Sequence, residues 1–273
     1  MSVTTNIATR VSSMFPNSAN PWSAISKLAS GSNIVNASDN PAGLAIATQL
    51  QGNLTALGQA GTNAAQGSAI LQTASGGLSA IGGVLQRMMT LATQAASGNV
   101  TDAQRGDIQT EFANLGTEIN QIAGQTSFGG QSLLNGTGPF AGGVNFTVGA
   151  QASDTVSVKL GNATTGAGGL NITGNVSTAA NAQAMMSTVS QAIGTLTQMQ
   201  ASIGASQSQF NAVSQSIGTT ADNVDAAASS ITAADVALQK VAMTTSDVKA
   251  QARIAALTQA NKMSQHVINL LKS

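Results

Sequence analysis

The chain has 273 residues, ten basic and ten acidic side chains, 42% hydrophobic residues, only 3% aromatic and 7% charged, and no cysteine. The even charge balance gives the whole chain no field that would steer it onto nucleic acid or a membrane surface, and the missing thiols exclude a disulfide framework, a thiolate metal site and a cysteine nucleophile. Alanine and glycine supply much of the hydrophobic fraction, which suits thin bundles of closely spaced helices better than one compact core of large side chains.

In chain order, residues 1–35 carry a weak amphipathic pattern: Ile7, Val11, Met14 and Phe15, then Trp22, Ile25 and Leu28. Proline inside a helix removes a hydrogen bond and clashes with the preceding turn. Pro16 and Pro21 therefore place a break between Phe15 and Trp22, with a loop over 31–40. No basic start followed by an apolar run, the mark of a secretory leader, is visible in residues 1–15. Asn40 as cap and Pro41 as first helical residue open a long helix. Along it Leu50, Leu57, Ala60, Ala64, Gly67, Leu71, Ala74, Leu78, Ile81, Leu85, Met88, Ala92 and Ala95 recur mostly at steps of three and four. That is a heptad seam, and it needs a partner helix along its length. An unbroken helix over 41–97 would run about 85 Å, against a radius of gyration of about 18 Å for a globule of this length, so the seam predicts an elongated molecule. Residues 40–86 carry no charge, yet Gln, Asn, Ser and Thr recur there and would be costly in lipid, so no membrane span is expected.

A second helix is expected from Thr101-Asp102, with Ile108, Phe112, Leu115, Ile119 and Ile122 on one face and Gly124 at its end. Residues 124–175 change character: Gly, Asn, Ser and Thr dominate, while Phe146-Thr-Val148 and Val156-Ser-Val158-Lys-Leu160 alternate as strands do. A β-hairpin with a turn over 149–154 follows. From Ser177 the heptad resumes through Val189, Ala192, Leu196, Ile203, Phe210 and Ile217. The chain reverses between the two seams, so they should pair antiparallel. The last segment, 236–271, has a less regular seam. The fold class expected is mainly α: an elongated antiparallel long-helix bundle, coiled-coil-like, with one β-hairpin region at about 135–175. Both chain ends are amphipathic with little inside the chain to cover them, which suits ordering by a partner.

Catalytic constellations are lacking. His266 is the sole histidine and reads as a partly packed helix residue; Glu111 and Glu118 read as a solvated helix face. The glycines at 129–130, 136 and 142–143 lack the Gly-Lys-Ser/Thr of a phosphate loop. Gly76-Gly77 and Gly82-Gly83 cost about 1 kcal/mol each in an isolated helix and are tolerable where another element approaches closely. The Met pairs 88–89 and 185–186 read as packing. No cofactor, no metal and no enzymatic activity are expected.

Leu28-Ala-Ser-Gly31, followed by Asn36-Ala-Ser-Asp-Asn-Pro-Ala-Gly43, resembles the N-terminal signature of bacterial flagellins, as do Gln86-Arg-Met-Met-Thr-Leu91 and Gln125-Thr-Ser-Phe-Gly-Gly-Gln-Ser-Leu-Leu134. Ile231, Ala234-Asp235, Gln259-Ala-Asn261 and Asn269-Leu-Leu271 resemble the C-terminus of that family. The resemblance covers roughly 1–160 and 180–273. It implies an inner-tube domain from residues 1–40 and 231–273, a rod domain over 41–230, and little or no outer domain. It implies a homo-polymer, the helical filament used for swimming motility, mixed in some filaments with other flagellins. It further implies extracellular placement after type III export without a cleaved signal peptide, an export chaperone, a filament cap and hook-associated proteins as partners. Polymerisation would fall to Ile7, Val11, Phe15, Ile25 and Leu28 with Leu238, Val241, Val248, Leu257, Ile268 and Leu271. Arg87, Leu91 and Glu111 match positions read by an innate immune receptor. Two alternatives stand beside it: a hook–filament junction-type protein, which shares the terminal pattern, and a flagellin-like surface-displayed polysaccharide-binding protein of the same fold.

Overall fold

The structure, a computed structural model, describes residues 21–272. It is mainly helical, with α1 (Pro21–Ser30), α2 (Pro41–Ala96), α3 (Asp102–Gln125), the short α4 (Pro139–Gly142), α5 (Ala179–Thr232) and α6 (Val236–Lys272). Four short strands make two antiparallel pairs: β1 (Ser127–Phe128) with β2 (Gln131–Ser132), and β3 (Val144–Thr147) with β4 (Thr155–Val158). The chain divides into two compact units, Asn53–Asn223 and a second that joins Met1–Gly52 to Val224–Ser273.

Within Asn53–Asn223 the core is the pair of heptad seams. Leu71, Ala74, Leu78, Ile81, Leu85, Ala92 and Ala95 of α2 have no exposed surface, and Val189, Ala192, Leu196, Ile203, Phe210 and Ile217 of α5 are buried. Each fully buried Leu or Ile contributes about 1.5–3 kcal/mol relative to exposure. The helices run antiparallel, since Gly61 approaches Ile217, Gly67 approaches Phe210 and Gly82 approaches Leu196. A Cβ on Gly67 would lie 2.5 Å from Phe210 Cζ; the ring occupies the space that glycine leaves. The paired glycines behave as expected at one position each. A Cβ on Gly77 would meet Thr126 Oγ1 at 2.5 Å and one on Gly82 would meet Leu196 Cδ2 at 3.2 Å, whereas Gly76 and Gly83 face open space.

Thr101 caps α3: its hydroxyl accepts from the Gln104 N–H while the Gln104 side chain accepts from the Thr101 N–H, a capping box. Ile108, Phe112 and Ile119 are buried as their spacing requires, and the helix ends one residue beyond Gly124, at Gln125. Arg105 is the one buried charged residue among those described. Its guanidinium donates to the carbonyls of Ala95 (2.8 Å) and Ser97 (3.0 Å) and to the Asp102 carboxylate (2.8 Å). It thereby satisfies carbonyls that the end of α2 leaves without helical partners.

The hairpin lies within the expected stretch but its strands are shifted toward the N-terminus, taking in Val144, Asn145 and Thr155. Val144 pairs with Val158 and Thr147 with Thr155, and the turn closes through the Val148 N–H on the Asp154 carbonyl at 2.8 Å. The expected strand residues Val148, Lys159 and Leu160 lie outside it. Phe146 of β3 meets Phe210 of α5 edge-to-face with centroids 5.6 Å apart, and Asn63 Nδ2 of α2 donates to the Thr147 carbonyl at 2.8 Å. The second small sheet, β1–β2, is an addition to the expected architecture. Residues 159–178 form neither helix nor strand, yet Leu160, Ala163, Leu170 and Val176 are buried.

In the other unit, the loop over 31–40 is as expected. The Asp39 carboxylate accepts from the N–H groups of Val35 and Asn36, and Asn40 Oδ1 accepts from the Gly43 N–H, capping α2. A short antiparallel bridge joins Ser32 to Ala233, where the Asn33 N–H donates to the Thr232 carbonyl (2.6 Å) and the Ala234 N–H to the Gly31 carbonyl (3.0 Å). This places α1 antiparallel to the start of α6, and the two helices are neighbours. The expected break before Trp22 and the residues Ile7, Val11 and Phe15 lie outside the described residues. By length and composition alone α2 is apolar enough to cross a membrane; its outward face nevertheless carries the exposed Gln66, Gln72, Gln86 and Gln94.

Candidate functional site

Helical spacing sorts α6 into two faces. Gln239, Met243, Ser246, Arg253 and Ala260 are half-buried at steps of four, three and seven. On the other side Leu238, Val241, Thr245, Val248, Ala252, Ala256, Gln259 and Met263 follow one another at steps of three and four, and every one is exposed. Leu238 is 63% exposed, Val241 65% and Met263 62%. On α1, Ala24 is buried while Ile25 and Leu28 remain at 40% and 36%. Of the residues expected to support polymerisation, Ile25, Leu28, Leu238, Val241, Val248 and Leu257 are thus exposed apolar side chains of the two neighbouring terminal helices. Ile268 and Leu271 belong to α6, and their side chains lie outside the described ones. Contiguous exposed apolar surface on a soluble chain marks an interaction site.

Arg87 and Glu111 come together on the surface of α2 and α3. Arg87 Nε and Nη2 both donate to Glu111 Oε1, at 2.9 and 2.5 Å, with 54% and 46% of the two side chains exposed. A pair this solvated is worth about 0–1 kcal/mol. Leu91 does not join them at the surface: at 2% exposure its side chain belongs to the core. His266 is exposed on α6 rather than partly packed, and Glu118 is exposed as expected. Among the described residues no group of three or more His, Asp or Glu side chains is placed to hold a metal ion.

Sequence reasoning missed Arg105 and the residues that act over long separation. Arg105 gave no signal beyond its type. Gln109 Oε1 accepts from the Val176 N–H at 2.7 Å, and Asn120 exchanges hydrogen bonds with Thr165, fastening residues 160–178 against α3.

Residues 3–138 match the family described as the bacterial flagellin N-terminal helical region, and residues 186–271 match the bacterial flagellin C-terminal helical region. A polar flagellin F of Vibrio parahaemolyticus is 36% identical over 162 residues, 59% of this chain and 42% of the relative. A flagellin E of Vibrio cholerae is 38% identical over 164 residues, 59% of this chain and 43% of the relative. The chain thus spans less than half the length of the curated relatives it matches. Among solved structures, a Vibrio parahaemolyticus protein described as flagellar hook-associated superposes with a TM-score of 0.60 at 16% identity, over 71% of this chain and all of that one; the likeness is one of fold.

Proposed function

The chain belongs to the bacterial flagellin family, and from that membership we propose that it is a structural, non-enzymatic subunit of the extracellular flagellar filament that drives swimming. Proteins of this family polymerise into filaments. The observation that carries the proposal here is the row of exposed apolar residues on α6 beside Ile25 and Leu28 of α1, which nothing described in the chain covers. Neighbouring copies would bury them, with α1 and α6 acting as parts of an inner-tube domain and Asn53–Asn223 belonging to a rod domain. Export unfolded through the flagellar type III apparatus, an export chaperone, a filament cap, hook-associated proteins and mixing with other flagellins are the partners and route that go with this reading. A junction-type role has only likeness of fold behind it.

The test is electron microscopy of the purified chain at high protein concentration and high salt. The full chain should form filaments; a chain lacking residues 1–35, or carrying Leu238→Asp with Val241→Asp, should stay dispersed while its far-UV spectrum remains helical. Filaments from the shortened chain would end the proposal. For an innate receptor the surface on offer is the Arg87–Glu111 pair, with Leu91 acting through the core; Arg87→Ala should reduce receptor signalling, read in reporter cells, without changing helicity.

A further inference from the structure

Helix α3 ends at Gln125, and the chain turns back almost at once through Gly129 and Gly130. Both glycines are left-handed, with φ of 57° and 79°, the backbone of a tight two-residue hairpin turn. The turn fixes Phe128 at the tip of β1–β2, opposite Gln131. Phe128 is 38% exposed, the one exposed phenylalanine among the described side chains: Phe112, Phe140 and Phe210 are buried, and Phe146 is half-buried against Phe210. No residue from Ser127 to Ser132 carries a charge. An aromatic ring held outward on a stiff turn has little freedom left to lose on binding, and aromatic residues are the usual anchors of protein interfaces.

Elsewhere in the same Asn53–Asn223 unit a cavity of about 360 Å³ opens between α2, α5 and residues 159–161. Leu78, Leu134, Leu160, Met199 and Ile203 give it apolar walls, and Lys159, exposed, is its one charged residue. Phe128 does not line it, so ring and cavity are separate patches of one surface. A contact between such patches on two copies leaves a free ring on one copy and a free cavity on the other, and it can repeat. Head-to-tail contacts of this kind build open helical arrays unless the rotation closes them into a ring. We propose that Phe128 of one copy seats in this cavity of the next. Its ring packs on Leu160, Met199 and Ile203, and Lys159 offers a cation to the ring face. The inference rests on the filament reading and gives it a directional contact, made by Asn53–Asn223 and separate from the exposed faces of α1 and α6.

The test exploits the lack of cysteine in the chain. Gln131→Cys marks the turn beside Phe128 and Gln198→Cys marks the cavity rim, both at exposed positions. Each change is made in a separate full-length copy, and the two copies are mixed, assembled at high protein concentration and treated with a short bis-maleimide. A dimer band should appear at about fivefold or more the level given by either copy assembled alone, and Phe128→Ser in the Gln131→Cys copy should remove it. In the otherwise unaltered chain, Phe128→Ser should raise the lowest concentration that forms filaments by about tenfold or more with helicity retained, and so should Ser202→Phe, which fills the cavity from an exposed position. Filaments without the dimer band, a band that survives Phe128→Ser, or unchanged assembly of both variants would overturn the proposal. If either variant loses helicity, the crosslinking of the two cysteine copies decides. If no filaments form at all, the same mixture is crosslinked in concentrated dispersed solution: a band there that depends on Phe128 upholds this contact while the filament reading falls, and no band overturns the contact as well.

Discussion

At the scale of single residues, the informative positions are those whose neighbours leave no choice. Arg105 is buried because three acceptors meet it: two carbonyls at the end of α2 and the Asp102 carboxylate. Arg105→Met keeps the bulk but takes the guanidinium from both carbonyls, leaving Ser97 only the Val100 N–H, and it should cost about 2–3 kcal/mol, the value of losing hydrogen bonds to a charged group, measured as a lower guanidinium midpoint. The glycines of α2 divide by what faces them. Gly83→Ala adds a methyl into open space and should stabilise by about 0.5–1 kcal/mol through helix propensity. Gly67→Ala drives a methyl into the Phe210 ring and should destabilise by about 1–3 kcal/mol as overpacking does. Thermal unfolding of the two variants side by side gives opposite signs, or the packing described here is wrong.

Among elements, the ones read correctly from sequence are those whose signal is local and repeated. The seams of α2 and α5, the Asn40 cap and the Thr101 cap are each written within a few residues, and periodicity over many turns outweighs the glycines in α2. The β1–β2 pair and the buried path of 160–178 escape because one or two contacts across a long stretch of chain hold them, as Asn120 holds Thr165. The hairpin β3–β4 sits between these cases: its alternation is legible, its strand boundaries and its docking through Phe146 and Asn63 are not. Phe210 serves both the helix pair and the hairpin, so Phe210→Ala should cost about 3–5 kcal/mol and loosen β3–β4, seen as faster amide exchange at Val156 and Val158. The turn before α2 carries a pH term. The N–H groups of Asn36 first and Val35 second hold the Asp39 carboxyl below its ordinary value of 3.8, with Lys27 adding a little. A lowered folded value means that this stabilisation is present in full above the ordinary value and is lost as pH falls through the lowered one. Asp39→Asn should flatten that part of the stability profile, measured as Tm against pH at the acid end.

For the whole molecule, the candidate site was legible as a pattern of apolar steps at the chain ends but not as a surface. Spacing shows which residues share a face of α6; only the structure shows that the face bearing Leu238 and Val241 is outward while Met243 and Ser246 are turned in. The net charge of zero concealed the basic character of α6, because it sums oppositely charged segments that lie far apart along the chain. Leu91 shows the converse: a motif match placed it with Arg87, and its burial removes it from the surface they form. The bridge between 31–33 and 232–234 has its own corollary. Both of its hydrogen bonds join main-chain groups, so side-chain replacement at Asn33 or Ala234 deletes neither, and only the imino acid, which has no amide proton to give, can. A saturation screen for assembly should therefore record indifference to nearly every exchange at those two sites and intolerance of a single one, a signature that alanine scanning would pass over in silence.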